Sequence, residues 1–389
     1  MSDVVAQGRD RPPRRGTATL GWLLVAALAA VAIWQTTSHH GSPAAAPAPT
    51  LSPTPAPAAA PRLAVPVPAG APGPRPPARV SWTSLPVGAP LDTDFAVGRY
   101  VRSDGELREL GPGAQALTMD RAMGGPVLLV QDSGTVTLEQ LRAGGRLAVL
   151  EAFPDEGRQP QGIAVDPAGA MVAYGLTSGP SGGRYGLVVR SLATGRVVVS
   201  LRTRQPFAVR GWSEAGVLLG VTREPGAPPY VWQPGSDTPQ LAVAADASGR
   251  DGPYLLAADH SGAAFAITYP RDGCTAAMSG PGIPAERSFC QAPLAQPAAF
   301  SESSGRVVAR RGTQGLWVLD ARTGALAALG TPRQAFVEQV AWRDARTVLA
   351  VITTVNESVS SVLRCRVGGG CERAPLPGGV SGSDLVLAG

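Results

Sequence analysis

Residues 205–221, QPFAVRGWSEAGVLLGV, decide the fold. An apolar run meets a tight turn of Ser, Glu, Ala and Gly, and a second apolar run follows at once. Short apolar runs bounded by turn residues read as paired strands, and no sustained 3.6-residue period competes with that reading. The unit recurs: GIAVDPAG then AMVAYGL from residue 162, LLAADHSG then AAFAITY from 255, AAFSESSG then RVVARR from 298, QVAWRDAR then TVLAVI from 339. Several units add a further strand–turn–strand, as in VVRSLATGRVVVSL and LWVLDARTGALAAL. Units begin near Ala114, Gln161, Gln205, Gly252, Gln296, Ala335 and Gly379. That spacing is roughly 45 residues, the period of four-stranded propeller blades.

The expected fold is therefore an all-β β-propeller over residues 81–389. The C-terminal run DLVLAG reads as a lone first strand, and SWTSLPVGAPLDTDFAVGRYVRSDGELREL, before the first full unit, supplies strands that lack one. Joining the two ends completes a blade and removes an exposed edge. This predicts seven four-stranded blades, with six as the alternative. The position just before the first turn holds Val165, Trp212, Ala258, Phe300 and Trp342, which reads as packing between blades and not as a row of ligand-binding aromatics.

The turns GWSEAG, AFSESSG and AWRDAR resemble the WD40-like repeats of TolB-type propellers, over residues from about 80 to 389. That resemblance implies a propeller and leaves function open, because unrelated propellers share it. The layout is similar to that of membrane-anchored WD40-like envelope proteins of GC-rich Gram-positive bacteria. An N-terminal α/β domain like that of TolB has no counterpart here.

Upstream, residues 17–36 (TATLGWLLVAALAAVAIWQT) carry no charge, and a helix needs about 20 such residues to span a bilayer. Trp22 and Trp34 suit the two interfaces, and the Arg-rich residues 1–16 are expected to stay in the cytoplasm. This predicts a single-pass cell-membrane protein with an extracytoplasmic propeller; the alternative is a cleaved signal peptide and secretion. Residues 37–80, rich in Pro and Ala, lack the periodicity of a core and read as a disordered, extended linker.

The net charge of +5 lies wholly in residues 1–80. Arg9, Arg11, Arg14, Arg15, Arg62, Arg75 and Arg79 stand there against Asp3 and Asp10, which leaves the propeller region neutral. A neutral domain lacks the electrostatic footprint of a nucleic-acid binder. All four cysteines, Cys274, Cys290, Cys365 and Cys371, fall in the repeat region, at third-to-fourth strand hairpins of two units. Export favours disulfides, expected as Cys274–Cys290 and Cys365–Cys371, over a zinc site, for which the spacings are wrong.

Catalytic motifs are absent. The repeat region has one histidine, His260, in a variable turn, and it carries no GxSxG elbow, P-loop or SxDxGxTW box. No cofactor, metal or catalytic residue is expected. In a propeller the second-to-third loops and blade-to-blade connections share one face, and here they are the longer segments: FPDEGRQP, TSGPSGGR, TREPGAPP, ADASGRDG, PRDG and TTVNES. They gather Asp155, Glu156, Arg158, Arg184, Arg223, Glu224, Arg250, Asp251, Arg271 and Asp272, which form the candidate binding face. The expectation is a non-enzymatic module that binds an unidentified protein or envelope ligand there. The alternative is a propeller hydrolase or lyase that uses carboxylates and arginines at the central channel.

Overall fold

The computed structural model describes residues 81–154, 157–177, 185–222, 227–242, 254–259, 262–269, 274–278, 287–290, 294–301, 303–311, 315–330, 335–354 and 359–388. The predicted membrane helix and linker lie outside them. No helix among the described residues is long and apolar enough to cross a membrane.

Seven four-stranded antiparallel sheets form the molecule. Blades 1 to 6 each run in chain order from the innermost strand outward, and their innermost strands are Gln115–Asp120, Pro160–Val165, Phe207–Ser213, Tyr254–Ala258, Ala295–Ser301 and Ala335–Asp344. Blade 7 joins the two ends of the chain. Its innermost strand is Val386–Leu387, and its other three are Phe95–Val97, Tyr100–Ser103 and Glu106–Glu109. The register sets Phe95 opposite Leu387 and Ala96 opposite Val386. Seven blades, not six, close the ring.

The continuous apolar runs have a simple cause: both faces of most strands are buried. In blade 6, Val348, Ala350 and Ile352 enter the apolar cluster shared with blade 5. Leu349 and Val351, between them in sequence, enter the cluster shared with blade 7. In blade 1, Leu128 and Val130 face blade 7, while Val127 and Leu129 face blade 2. Each pair of neighbouring blades shares one such cluster, so the core is a ring of seven interfaces. Trp212 and Phe300, which end innermost strands, are buried in two of them.

Turns follow local chemistry. Asp104-Gly105 and Ser133-Gly134 are two-residue hairpins with positive φ at both positions, the geometry that fits strand twist. Asp166 follows the innermost strand of blade 2, and its carboxylate accepts the N–H groups of Ala170 and Met171 across the turn it begins.

A disulfide joins Cys365 to Cys371 across the outer hairpin of blade 6. Cys274 is also disulfide-bonded, and the register of blade 4 sets it opposite Cys290. Replacing Cys365 and Cys371 by serine should lower stability by about 2 kcal/mol, the loop-entropy value for so short a ring. Chemical denaturation checks this; a loss above about 5 kcal/mol would mean that the bridge organises more than its hairpin.

Residues 81–94, which precede the three strands that this N-terminal segment supplies to blade 7, form a strap that clasps the outer edge of blade 6. Val87 bridges Arg373 in parallel, the N–H of Arg373 donates to Pro86 O at 2.8 Å, and that of Gly88 donates to Arg373 O at 2.9 Å. Leu85 is buried in the cluster between blades 5 and 6, and Leu91 in the cluster between blades 6 and 7. The guanidinium of Arg373 lies over the Trp82 ring at 5.6 Å. The strap thus holds blade 6 from both sides.

Candidate functional site

The innermost strands surround a central channel with a cavity of about 420 Å³. Its shape depends on a recurring irregularity. In each of blades 1 to 6 the innermost strand shifts register against its neighbour: between Ala116 and Thr118, Gln161 and Ile163, Val209 and Gly211, Leu255 and Ala257, Ala295 and Ala298, Val337 and Gln339. Such bulges bend a strand and re-aim a side chain. The bulged residues include Gly162, Arg210, Gln296 and Glu338, all on the channel wall.

Gly162 shows why one of these positions is fixed. Its φ is +68°, and a Cβ there would stand 2.3 Å from the carbonyl oxygen of Val209 in the next blade. Gly162→Ala should cost about 3 kcal/mol, combining backbone strain with a clash that only blade movement relieves. A thermal midpoint within about 2 °C of wild type would refute this account.

Most polar groups of the wall hold neighbouring blades together. Asp120 Oδ2 in blade 1 accepts the N–H of Val165 in blade 2 at 2.7 Å. Gln296 in blade 5 donates to the carbonyls of Leu255 and Leu256 in blade 4 at 3.3 and 3.4 Å. Gln339 in blade 6 accepts the N–H of Leu387 at 3.0 Å and donates to its carbonyl at 3.4 Å. Asp259 accepts the N–H of Ala264 at 3.3 Å. Glu338 accepts from the hydroxyls of Thr353 at 2.6 Å and Ser360 at 3.4 Å, which flank the second-to-third loop of blade 6. Glu338 therefore sits near the mouth framed by the second-to-third loops.

Arg210 differs from these. It is a solvent-exposed side chain on the channel wall, and the protein atoms around it shift its pKa below the ordinary arginine value through partial desolvation. Its stem lies against Gly220, where a Cβ would stand 3.3 Å from Nε.

A second cluster sits away from the channel, between blades 1 and 2. Arg190 and the hydroxyl of Tyr174 both donate to the Glu151 carboxylate, and Arg190 also donates to the carbonyl of Gly195. Burial, then the bond to Glu151, pushes the Tyr174 phenol well above its usual value. The three groups satisfy one another and make a fixed interblade contact.

Of the ten charged residues proposed from sequence, Arg158 is exposed in the connection between blades 1 and 2. Asp155, Glu156, Arg184, Arg223, Glu224, Arg250, Asp251, Arg271 and Asp272 lie outside the described residues, as does His260. On the side of the second-to-third turns, blades 7 and 1 present the two-residue turns Gly98-Arg99 and Ser133-Gly134. Among the described residues no cluster of His, Cys, Asp and Glu is arranged to hold a metal.

No family model and no curated protein matches the chain. Among solved structures it is similar to a chain of a mitotic checkpoint complex, at 13% identity over 80% of this chain and 86% of that one, with a TM-score of 0.51. A prolyl endopeptidase gives 14% identity over 73% of this chain and 43% of that one, with a TM-score of 0.50. An oligogalacturonate lyase solved with manganese gives 10% identity over 67% and 82%, with a TM-score of 0.50. At these identities the likeness shows the propeller fold alone, and it spans both interaction proteins and enzymes.

Proposed function

We propose that this chain is a membrane-tethered, extracytoplasmic propeller that binds a protein or envelope ligand through its long-loop face, without catalysis. One observation carries this reading. The channel carboxylates Asp120, Asp259 and Glu338 each accept hydrogen bonds from the protein's own backbone or hydroxyl groups, which fits a scaffolding role. The competing hydrolase or lyase reading places its chemistry in this channel. Longer loops on a rigid ring are the arrangement that recognition commonly uses.

Crosslinking the full anchored chain in its native envelope tests the proposal. Wild type should capture a defined partner set, and changing Arg184, Arg223 and Arg250 together to alanine should reduce capture at least about 10-fold, as the loss of several charged anchors implies. An unchanged partner set removes the loop face from the proposal. A turnover that Glu338→Gln abolishes would move the function to the channel.

A further inference from the structure

We infer that the outer edge of blade 2 takes up an extended acidic segment of a partner protein as a fifth strand. This edge lies on the rim of the ring, and the inference does not depend on the loop-face reading. The outermost strand of blade 2 is Val197–Thr203. Its register shifts once near the start, and from Val199 to Thr203 five consecutive residues pair regularly with Val189 back to Tyr185. The sheet ends at this strand, so its far side offers a row of backbone N–H and C=O groups to solvent.

Charge sets this edge apart. The propeller region is neutral as a whole, yet residues 159–206 hold Arg184, Arg190, Arg196, Arg202 and Arg204 against one acid, Asp166. Asp166 is engaged in its own turn, and Arg190 is bonded to Glu151. Arg184 lies outside the described residues. Arg196, Arg202 and Arg204 stand in or beside the outermost strand, are exposed, and make no side-chain hydrogen bond or ion pair among the described residues. Other outer edges differ. The strap takes that of blade 6. The edge strand of blade 7, Glu106–Glu109, meets its charges locally through Arg99 with Glu109 and Arg108 with Glu106. In the edge strand of blade 1, Leu147–Pro154, the one charge is Glu151, which is turned to Arg190. A second copy is a poor occupant for the blade 2 edge, because pairing two such edges brings both sets of arginines together.

The two faces of the strand define the partner's pattern. Val199 and Leu201 pack against the apolar cluster between blades 2 and 3. Ser200 and Arg202 alternate with them and point to the other face. An added strand continues both faces, so it sets apolar side chains beside Val199 and Leu201 and acidic ones beside Arg202. In strand addition the backbone bonds give affinity and the alternate side chains give selectivity. The ring already accepts an extended segment at one outer edge, where Val87 of the strap bridges Arg373.

Calorimetric titration of the full chain with a capped heptapeptide of alternating glutamate and valine tests the inference. Two counterparts accompany it: one of alternating lysine and valine, and one in which prolines replace the valines of the acidic peptide. The acidic peptide should bind with a Kd of about 0.1 mM or tighter, and the lysine peptide at least about 10-fold more weakly. The proline peptide keeps the charge but cannot extend a ladder, so it should also bind at least about 10-fold more weakly. Changing Arg196, Arg202 and Arg204 together to glutamine should weaken the acidic peptide about 10- to 100-fold. Changing Arg322, Arg346 and Arg366, exposed residues of blades 5 and 6, removes the same charge elsewhere and should alter binding by less than about 3-fold. Equal affinity for the lysine peptide, or wild-type affinity in the blade 2 variant, overturns the inference. Equal affinity for the proline peptide, or an equal loss in the blade 5 and 6 variant, shows a diffuse anion surface and overturns it as well. So does an absence of binding up to about 1 mM.

Discussion

Truncation before Leu385 is expected to abolish cooperative folding of the propeller. Leu385 and Leu387 are buried in the interface of blades 6 and 7, and Ala388 in that of blades 7 and 1. Losing two leucines from a packed interface costs about 5 kcal/mol or more once the vacated space is counted. Gln339 loses both bonds to the backbone of Leu387, which adds a penalty for a half-buried amide left unpaired. The edge of strand Phe95–Val97 is exposed as well, with Phe95, Ala96 and Val97 beside it. The total is comparable to the whole stability of an ordinary domain, about 5–15 kcal/mol. Scanning calorimetry should show no sharp transition for the truncated chain. Removing Gly389 alone should change nothing. A truncated protein that melts within about 5 °C of wild type would mean that six blades suffice.

The second large effect is expected at Glu151. Arg190 and Tyr174 both point at its carboxylate across the interface of blades 1 and 2. Glu151→Ala leaves the Arg190 guanidinium, whose side chain is 10% exposed, with the neutral Gly195 carbonyl and Tyr174 hydroxyl as acceptors and no countercharge. Breaking a buried pair from one side costs about 3–5 kcal/mol, because the remaining charge is desolvated without compensation. Arg190→Met combined with Glu151→Leu removes both charges and should recover most of that loss. Thermal melts of the single and double variants decide it. A double variant no more stable than Glu151→Ala would show that the effect lies in packing and not in the stranded charge.

The ring was legible in the sequence because closure is a property of its ends. DLVLAG reads as a first strand with no partners, and the N-terminal segment has partners with no first strand, so the two complete one blade. The strap was not legible. It is held by two leucines, Leu85 and Leu91, set among prolines, and two apolar residues six apart fit no strand or helix period. The bulges were hidden for a related reason: an inserted residue shifts the alternation, so equivalent channel positions fall at unequal distances from the turns. Arg210 stands inside the stretch that decided the fold, FAVRGW, as a charge interrupting an apolar run. Attention to that interruption would have found it. The charged loops drew notice because their residue types are conspicuous, yet spacing alone cannot say which of them converge.

The strap also decides where mechanical load enters the molecule. Tension on the polypeptide upstream of Ser81 reaches the ring first at blade 6, along the backbone bonds between Pro86, Gly88 and Arg373. Leu85 and Leu91, wedged on opposite sides of that blade, resist its withdrawal. The two-residue strand Val386–Leu387, the shortest element of the closure, lies in a different blade and on the inside of the ring. A pull from the N-terminal side is therefore borne by the strap as a strain relief, and the seam that keeps the ring shut is spared.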